Sequence, residues 1–391
     1  DWTQLGSDID GEPSNTEGSS VSISQDGSIV AVGAPYNCDV TMFNGQARVF
    51  QYNSGAWVQL GADIHGEGMM DYFGFAVSLS ANGNRVAIGA YASDGIGGAI
   101  TDAGHVRVFE YALGAWSKLG SNIDGETTGD NSGSSVSMSA DGNKVAIAAR
   151  FNSGTGTYAG HVRVFEYDGS DWTQLGADID GEATGDESGS SVSLSSNGLR
   201  VAIGAVSNYG TGPNAGHVRV FEYDHGLFSW LQIASDIDGE VASDFSGKSV
   251  SMSSDGNQVA IGAAYNDGNG SDSGHVRVFT LNMGSWLQLG SDIDGDAADD
   301  RSGFSVSMSA GGNRVAIGSY NNGAGHTIVF EYIQADNAWA QLGSKIVGEA
   351  LSDQSGFAVS ISADGTTVAI GAPHNGGGGF YSGHTRIFGF Q

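Results

Sequence analysis

The chain has 391 residues, 64 of them glycine and only 4 proline, with 44 acidic against 15 basic side chains and a net charge of −29. That imbalance argues against nucleic acid, whose phosphates need clustered Lys and Arg, and against an anionic membrane surface. No apolar run reaches the length of a membrane span, and the single cysteine, Cys38, leaves no intrachain disulfide.

In chain order, the opening phrase "DWTQLG" reads as an outer strand over residues 2–5, followed by the acidic phrase "DIDGE" from Asp8. It carries no initiator Met and no signal peptide, as expected of a processed or excised segment. The same phrases then recur. Every Trp of the chain (2, 57, 116, 172, 230, 286 and 339) opens a version of "WxQLG", and Val recurs at 21, 77, 136, 192, 250, 306 and 359 in "SVS" or its equivalent. Both series step by 53 to 59 residues, which divides the whole chain into seven units.

One unit shows the order of elements. "SVSMS" (135–139) alternates small polar and apolar residues and predicts a strand; "ADGN" (140–143) predicts a tight turn. "KVAIAA" (144–149) is the second strand, a variable Gly/Asn/Ser loop follows, and "HVRVFEY" (161–167) is the third. "WTQLG" (172–176) is the fourth, and "DIDGEATGDESG" (178–189) is an acidic return loop. An apolar period of two excludes helical repeats. Four antiparallel strands at this spacing predict an all-β, seven-bladed propeller, a single domain over residues 1–391. The chain starts on a fourth strand and ends on a third (384–388), so the N-terminal strand is expected to complete the last blade and hide both edges.

Residues 72–90, "YFGFAVSLSANGNRVAIGA", followed by "GHVRVFEY", resemble the FG-GAP repeat, the blade unit of integrin α-subunit propellers; residues 353–373 resemble it equally. The likeness extends over all seven units, although most carry Ser-Gly where Phe-Gly would stand. It implies a seven-bladed propeller, usually extracellular, used in adhesion or recognition. The calcium loop of integrin-type repeats does not carry over. Turns such as "SADGN" and "SAGGN" hold one or two side-chain oxygens, too few for Ca²⁺.

Two readings stand for the acidic phrase. Asp178, Asp180 and Glu182, with Asp186 after them, have a spacing able to converge on Ca²⁺, and Asp236, Asp238 and Glu240 repeat it. Asp267, Asn269 and Asp272 form a separate cation candidate. The alternative is structural. Arg recurs in the third strand at 48, 107, 163, 219, 277 and 386; the one blade lacking it has Ile328, and its acidic phrase has become "KIVGE", with Lys345 and Val347. Arg and the Asp pair vanish together, which favours an Arg–Asp bridge once per blade: Arg107–Asp124, Arg163–Asp180, Arg219–Asp238, Arg277–Asp294 and Arg386–Asp10.

His opens the third strand at 105, 161, 217, 275, 326 and 384, with Gln46 in the remaining blade; a ring of satisfied interface histidines is expected rather than one metal centre. The Trp row is expected to pack between blades rather than to stack on sugars. No catalytic motif is present, and no enzyme activity is expected. The expectation is an extracellular or cell-surface adhesion, assembly or protein-interaction module, with a multivalent lectin and a polysaccharide-active propeller enzyme as alternatives. Its partner, a protein or glycan, would meet the loops between second and third strands, such as "YASDGIGGAITDAG" (91–104) and "YNNGAG" (320–325). Adjacent termini would also suit a tandem or larger assembly.

Overall fold

The computed structural model describes residues 1–94 and 100–391, in seven small antiparallel sheets with no helix among them. Blades 1 to 6 run over residues 20–65, 76–124, 135–180, 188–238, 249–294 and 305–347. Blade 7 joins both ends of the chain. Ala358–Ile361, Thr367–Ala372 and His384–Phe390 are followed in space by Trp2–Gln4, which pairs with the C-terminal strand through Trp2 opposite Phe390 and Gln4 opposite Phe388. This is the expected closure.

The acidic phrase, expected to be loop throughout, supplies a fifth strand. In blade 3, Ile179–Asp180 returns to the third strand beyond the end of the fourth, with Ile179 opposite Val162 and Asp180 opposite His161. The cause is the lone apolar residue of "DIDGE": Ile179 is buried, and pairing pins it against the blade. Two residues are too few to show a period.

The first strands line the axis, and "SVS" has its reason there. The serine after the valine accepts a hydrogen bond from the first strand of the next blade. Ser22, Ser78, Ser137, Ser193, Ser251, Ser307 and Ser360 take the amides of Leu79, Met138, Leu194, Met252, Met308, Ile361 and Ile23 at 2.9–3.0 Å. A second closed ring runs through the backbone of the turns, from Gln25 through Ala81, Ala140, Ser196, Ser254, Ala310 and Ala363 back to Gln25, at 2.8–3.0 Å. Blades also approach closely beside the axis: a Cβ on Gly262 would lie 2.0 Å from the Gly303 carbonyl oxygen of the next blade. Only glycine fits.

The opposite end carries the second-to-third loops and the acidic return loops, zipped together by main-chain bonds such as Gly185 N–H to Thr157 O (2.9 Å) and Ser188 N–H to Ala159 O (2.9 Å). We call it the loop face. Residues 95–99, within the variable loop 91–104, lie outside the described residues.

Candidate functional site

Alternation along "HVRVFEY" sends its residues to two different interfaces. Val162 and Val164 pack with Val192, Leu194, Val201 and Ile203 of the following blade. His161, Arg163, Phe165 and Tyr167 form the other face, with the Arg163 guanidinium 5.2 Å from the Phe165 ring and the Tyr167 ring 5.3 Å from Trp172. Each Trp is spent on masonry as expected. Its indole N–H donates to a main-chain carbonyl of the preceding blade's fourth-strand end, as from Trp172 to Leu119 O at 2.8 Å and from Trp230 to Leu175 O at 2.7 Å.

The Arg row bridges blades, with a partner one repeat earlier than expected. Arg163 donates to the main-chain oxygen of Asp124 (2.7 Å), not to Asp180, and lies 3.4 Å from the Glu126 carboxylate. Arg219 likewise takes Asp180 O and Glu182, and Arg277 takes Asp238 O and Glu240. Arg107 binds His65 O and Glu67, and Arg386 binds Val347 O with Glu349 nearby. The expected side-chain partners Asp124, Asp180, Asp238, Asp294 and Asp10 are therefore replaced by the glutamates and by main-chain oxygens of the preceding blade. The reason is geometric: the Arg side chain leaves its strand on the face that meets the earlier blade. Blade 1 is a variant, in which Arg48 grips the fully buried Glu17 with two nitrogens and also takes Asp10 O. Burial pushes Glu17 up to about 7, with Arg48 pulling the other way.

The joint loss in blade 6 follows from the same register. Ile328 faces the phrase of blade 5, where Glu has become Asp296, and Lys345 reaches back to pair with Asp296. The cation comes from the loop instead of the strand.

The carboxylates proposed for calcium divide between interfaces. Asp178 sits with His161 and Glu126; Glu182 sits one blade further on, with His217 and Asp236; Glu240 sits with His275 and Asp292. Asp186 is buried and accepts the Ala183 amide at 2.9 Å. Asp180 and Asp238 lend main-chain oxygens to arginines. In the other candidate loop, Asp267 accepts the Asp272 amide at 2.9 Å, Asn269 donates to Gly295 O at 2.8 Å, and Asp272 lies 3.7 Å from Arg301.

The histidines are buried, as expected, but not satisfied. His161, His217, His275 and His384 are each 1 % exposed, and in all four the Nε2 is buried without a hydrogen-bond partner. Burial, with the neighbouring Arg163, pushes His161 down to about 4, and burial with Arg107 does the same to His105, also to about 4. The rings are neutral at pH 7.

A set of aromatic and cationic residues that breaks the sevenfold repeat gathers on the loop face at the mouth of the axis. They immediately precede a first strand or follow a second strand, positions far apart in sequence. On one side Tyr72 stacks on Tyr91 (5.4 Å), and Phe75 meets Tyr91 edge-on (4.5 Å). On the other, Phe304 packs against Tyr320 (4.3 Å) and Phe357 (5.0 Å). Between these groups stand Arg150, Glu187 and Lys248, the Lys248 ammonium 4.8 Å from the Phe304 ring. Among the described residues, every other Lys and Arg except Lys118 lies within ion-pair distance of a carboxylate; Arg150 and Lys248 do not. Enclosure and the Arg150 charge push the Lys248 ammonium down, and enclosure beside Tyr36 and Tyr72 pushes the Tyr91 hydroxyl up to about 12. Sequence reasoning missed this mouth. Its only trace in the sequence is that positions flanking conserved-looking strands fail to repeat.

No protein-family model matches the chain, and no curated protein matches it. Solved structures do. Hydrazine synthase of Kuenenia stuttgartiensis superposes with a TM-score of 0.59 at 12% identity, covering 98% of this chain and 97% of that one. A putative 6-phosphogluconolactonase from Bacteroides uniformis ATCC 8492 superposes with a TM-score of 0.59 at 15% identity, covering 85% and 86%. At such identities the likeness is one of fold, and the fold is that of a seven-bladed β-propeller.

Proposed function

We propose that this chain is a non-enzymatic recognition propeller, an extracellular or cell-surface adhesion or assembly module that receives its partner on the loop face. The observation that carries this reading is the gathering of non-repeated residues, cationic and aromatic, around the mouth on that face. Rings and unpaired cations suit the holding of an anionic or hydroxyl-bearing surface. The FG-GAP resemblance and the acidic, hydrated exterior support the extracellular setting.

The test uses a triple variant, Arg150→Ala/Lys248→Ala/Tyr209→Ala, which removes both cations of the mouth and one of the exposed second-to-third-loop aromatics Tyr158, Tyr209 and Phe380 (53%, 63% and 74% exposed). Its control is Leu113→Ala/Met283→Ala in the hairpin turns of the opposite end. Both are screened against a glycan array and a panel of purified extracellular proteins. Binding lost only in the triple variant supports the reading; equal binding by both variants overturns it. A lectin is the second reading, favoured by an exposed aromatic in the same loop of several blades; hits confined to glycans would select it.

A further inference from the structure

Four blade interfaces on the loop face carry the same three side chains at matching positions: Glu126–His161–Asp178, Glu182–His217–Asp236, Glu240–His275–Asp292 and Glu349–His384–Asp8. We propose that each is a binding site for one divalent transition-metal ion of the zinc type, held by imidazole Nδ1 and two carboxylates. This goes beyond the partner-binding reading and does not depend on it.

The first argument is spacing. Nδ1 lies 3.8 Å from Asp178, 3.6 Å from Asp236, 3.7 Å from Asp8, 3.8 Å from Glu349 and 4.0 Å from Glu240. These gaps are too long for hydrogen bonds. They are slightly wider than the ligand–ligand edge of about 3.4 Å that metal bonds of about 2.0–2.1 Å produce in a tetrahedron, and the third ligands, Glu126, Glu182 and Asp292, lie within 4.8 Å, so the exposed carboxylates close in on the ion as it binds.

The second argument is the outer support. One oxygen of each Asp is already held by the Gln of "WxQLG": Gln4 to Asp8, Gln174 to Asp178, Gln232 to Asp236 and Gln288 to Asp292, at 2.6–2.7 Å. The other oxygen turns to the histidine wherever the pair is close. Glu349 offers Oε1 to Arg386 and Oε2 to His384, and Glu240 divides its oxygens between Arg277 and His275 in the same way. Such anchoring of ligands from behind is what a metal site requires.

The third argument is His384. It is 1 % exposed, its Nδ1 is buried without a partner, and that nitrogen is aimed between two carboxylates. Access is provided at His217, where an open cleft of about 450 Å³ is lined by Glu182, Asp186, Asn208 and Asp236. Coordination at Nδ1 puts the ring proton on Nε2, which is without a partner in the metal-free chain as well, so the outer support comes from the carboxylates rather than from the imidazole.

The other interfaces supply controls. The His105 interface has Asn122 in place of the Asp, and blade 1 has Gln46 in place of the His; at the third, Asp296 and Asp300 gather at His326, but Lys345 pairs with Asp296 and supplies a cation where the other interfaces have the Asp.

Chelator-treated full chain is titrated with Zn²⁺ by calorimetry and with Co²⁺ by visible absorption. Four equivalents are expected, with Co²⁺ bands of a site containing nitrogen. Asp8→Asn, Asp178→Asn, Asp236→Asn and Asp292→Asn, at partly exposed positions, should each remove one equivalent; the quadruple variant should bind none while keeping the melting temperature of the metal-free parent. His105→Gln should keep all four. Zn²⁺ uptake unchanged in the quadruple variant, or fewer than one equivalent in the parent, overturns the proposal. So does Ca²⁺ binding without any Co²⁺ spectrum, which would leave the imidazole out of the site.

Discussion

At the scale of single residues, the buried histidines carry the clearest consequence. His105 titrates near 4 in the folded chain against an ordinary 6.5, so between those values the unfolded chain binds the extra proton. Its contribution is therefore present above pH 6.5 and is lost as pH falls toward 4. His105→Gln tests this, and Gln46 shows that glutamine fits the position. The stability difference between parent and variant should change by up to about 1.4 kcal/mol per pH unit across that window, measured by denaturant unfolding; a constant difference would refute it. Trp230→Phe isolates a second contact. It keeps the ring against Tyr223 but removes the donor to Leu175 O, so about 1–2 kcal/mol should be lost. Loss of less than about 0.3 kcal/mol would mean that the indole bond adds nothing beyond packing.

At the scale of strands, two small residues decide whether neighbouring blades can meet. Gly262→Ala puts a methyl group into the Gly303 carbonyl, and about 1–3 kcal/mol should be lost. In blade 3 the same position holds Ala148, and the facing strand Ser188–Leu194 carries a bulge between Ser188 and Ser191. Ser193→Ala leaves the Met252 amide without its partner and should cost about 1–3 kcal/mol, whereas Ser117→Ala, at an exposed serine of a fourth strand, should be close to neutral. Chemical denaturation of the three variants checks both statements. The strands themselves were legible, because alternation and turn chemistry are local. The Arg partner was not, because a tandem repeat writes the same acidic phrase before and after every third strand. Asp180 and Glu126 are equally plausible neighbours of Arg163 in sequence, and only the facing of the side chain selects the earlier blade. The axial mouth was hidden for a related reason: Tyr72, Arg150, Lys248 and Phe304 belong to different units, and only ring closure brings them to one rim.

At the scale of the molecule, the ring stands or falls with the last blade. Its outer strand is Trp2–Gln4, and Ile9–Asp10 adds the short fifth strand against Thr385 and His384. Trp2 also donates to Leu342 O of blade 6 at 2.7 Å, so the N-terminal segment ties two blades, and Ile9 is buried. Removing residues 1–10 exposes the edge of His384–Phe390, an unpaired row of main-chain groups able to recruit a strand from another chain. Loss of the Trp and Ile contacts should cost on the order of 5 kcal/mol. For a chain of this length that lowers the melting temperature by roughly 6 °C. The truncated chain should also associate with rising concentration, as read by light scattering. A synthetic peptide of residues 1–10 added in trans should restore both properties, because it can reoccupy the edge and return the indole to Leu342, and a scrambled peptide should not. A truncated chain that melts like the parent and stays monomeric would show that the two axial rings of hydrogen bonds hold the propeller closed without its outer clasp.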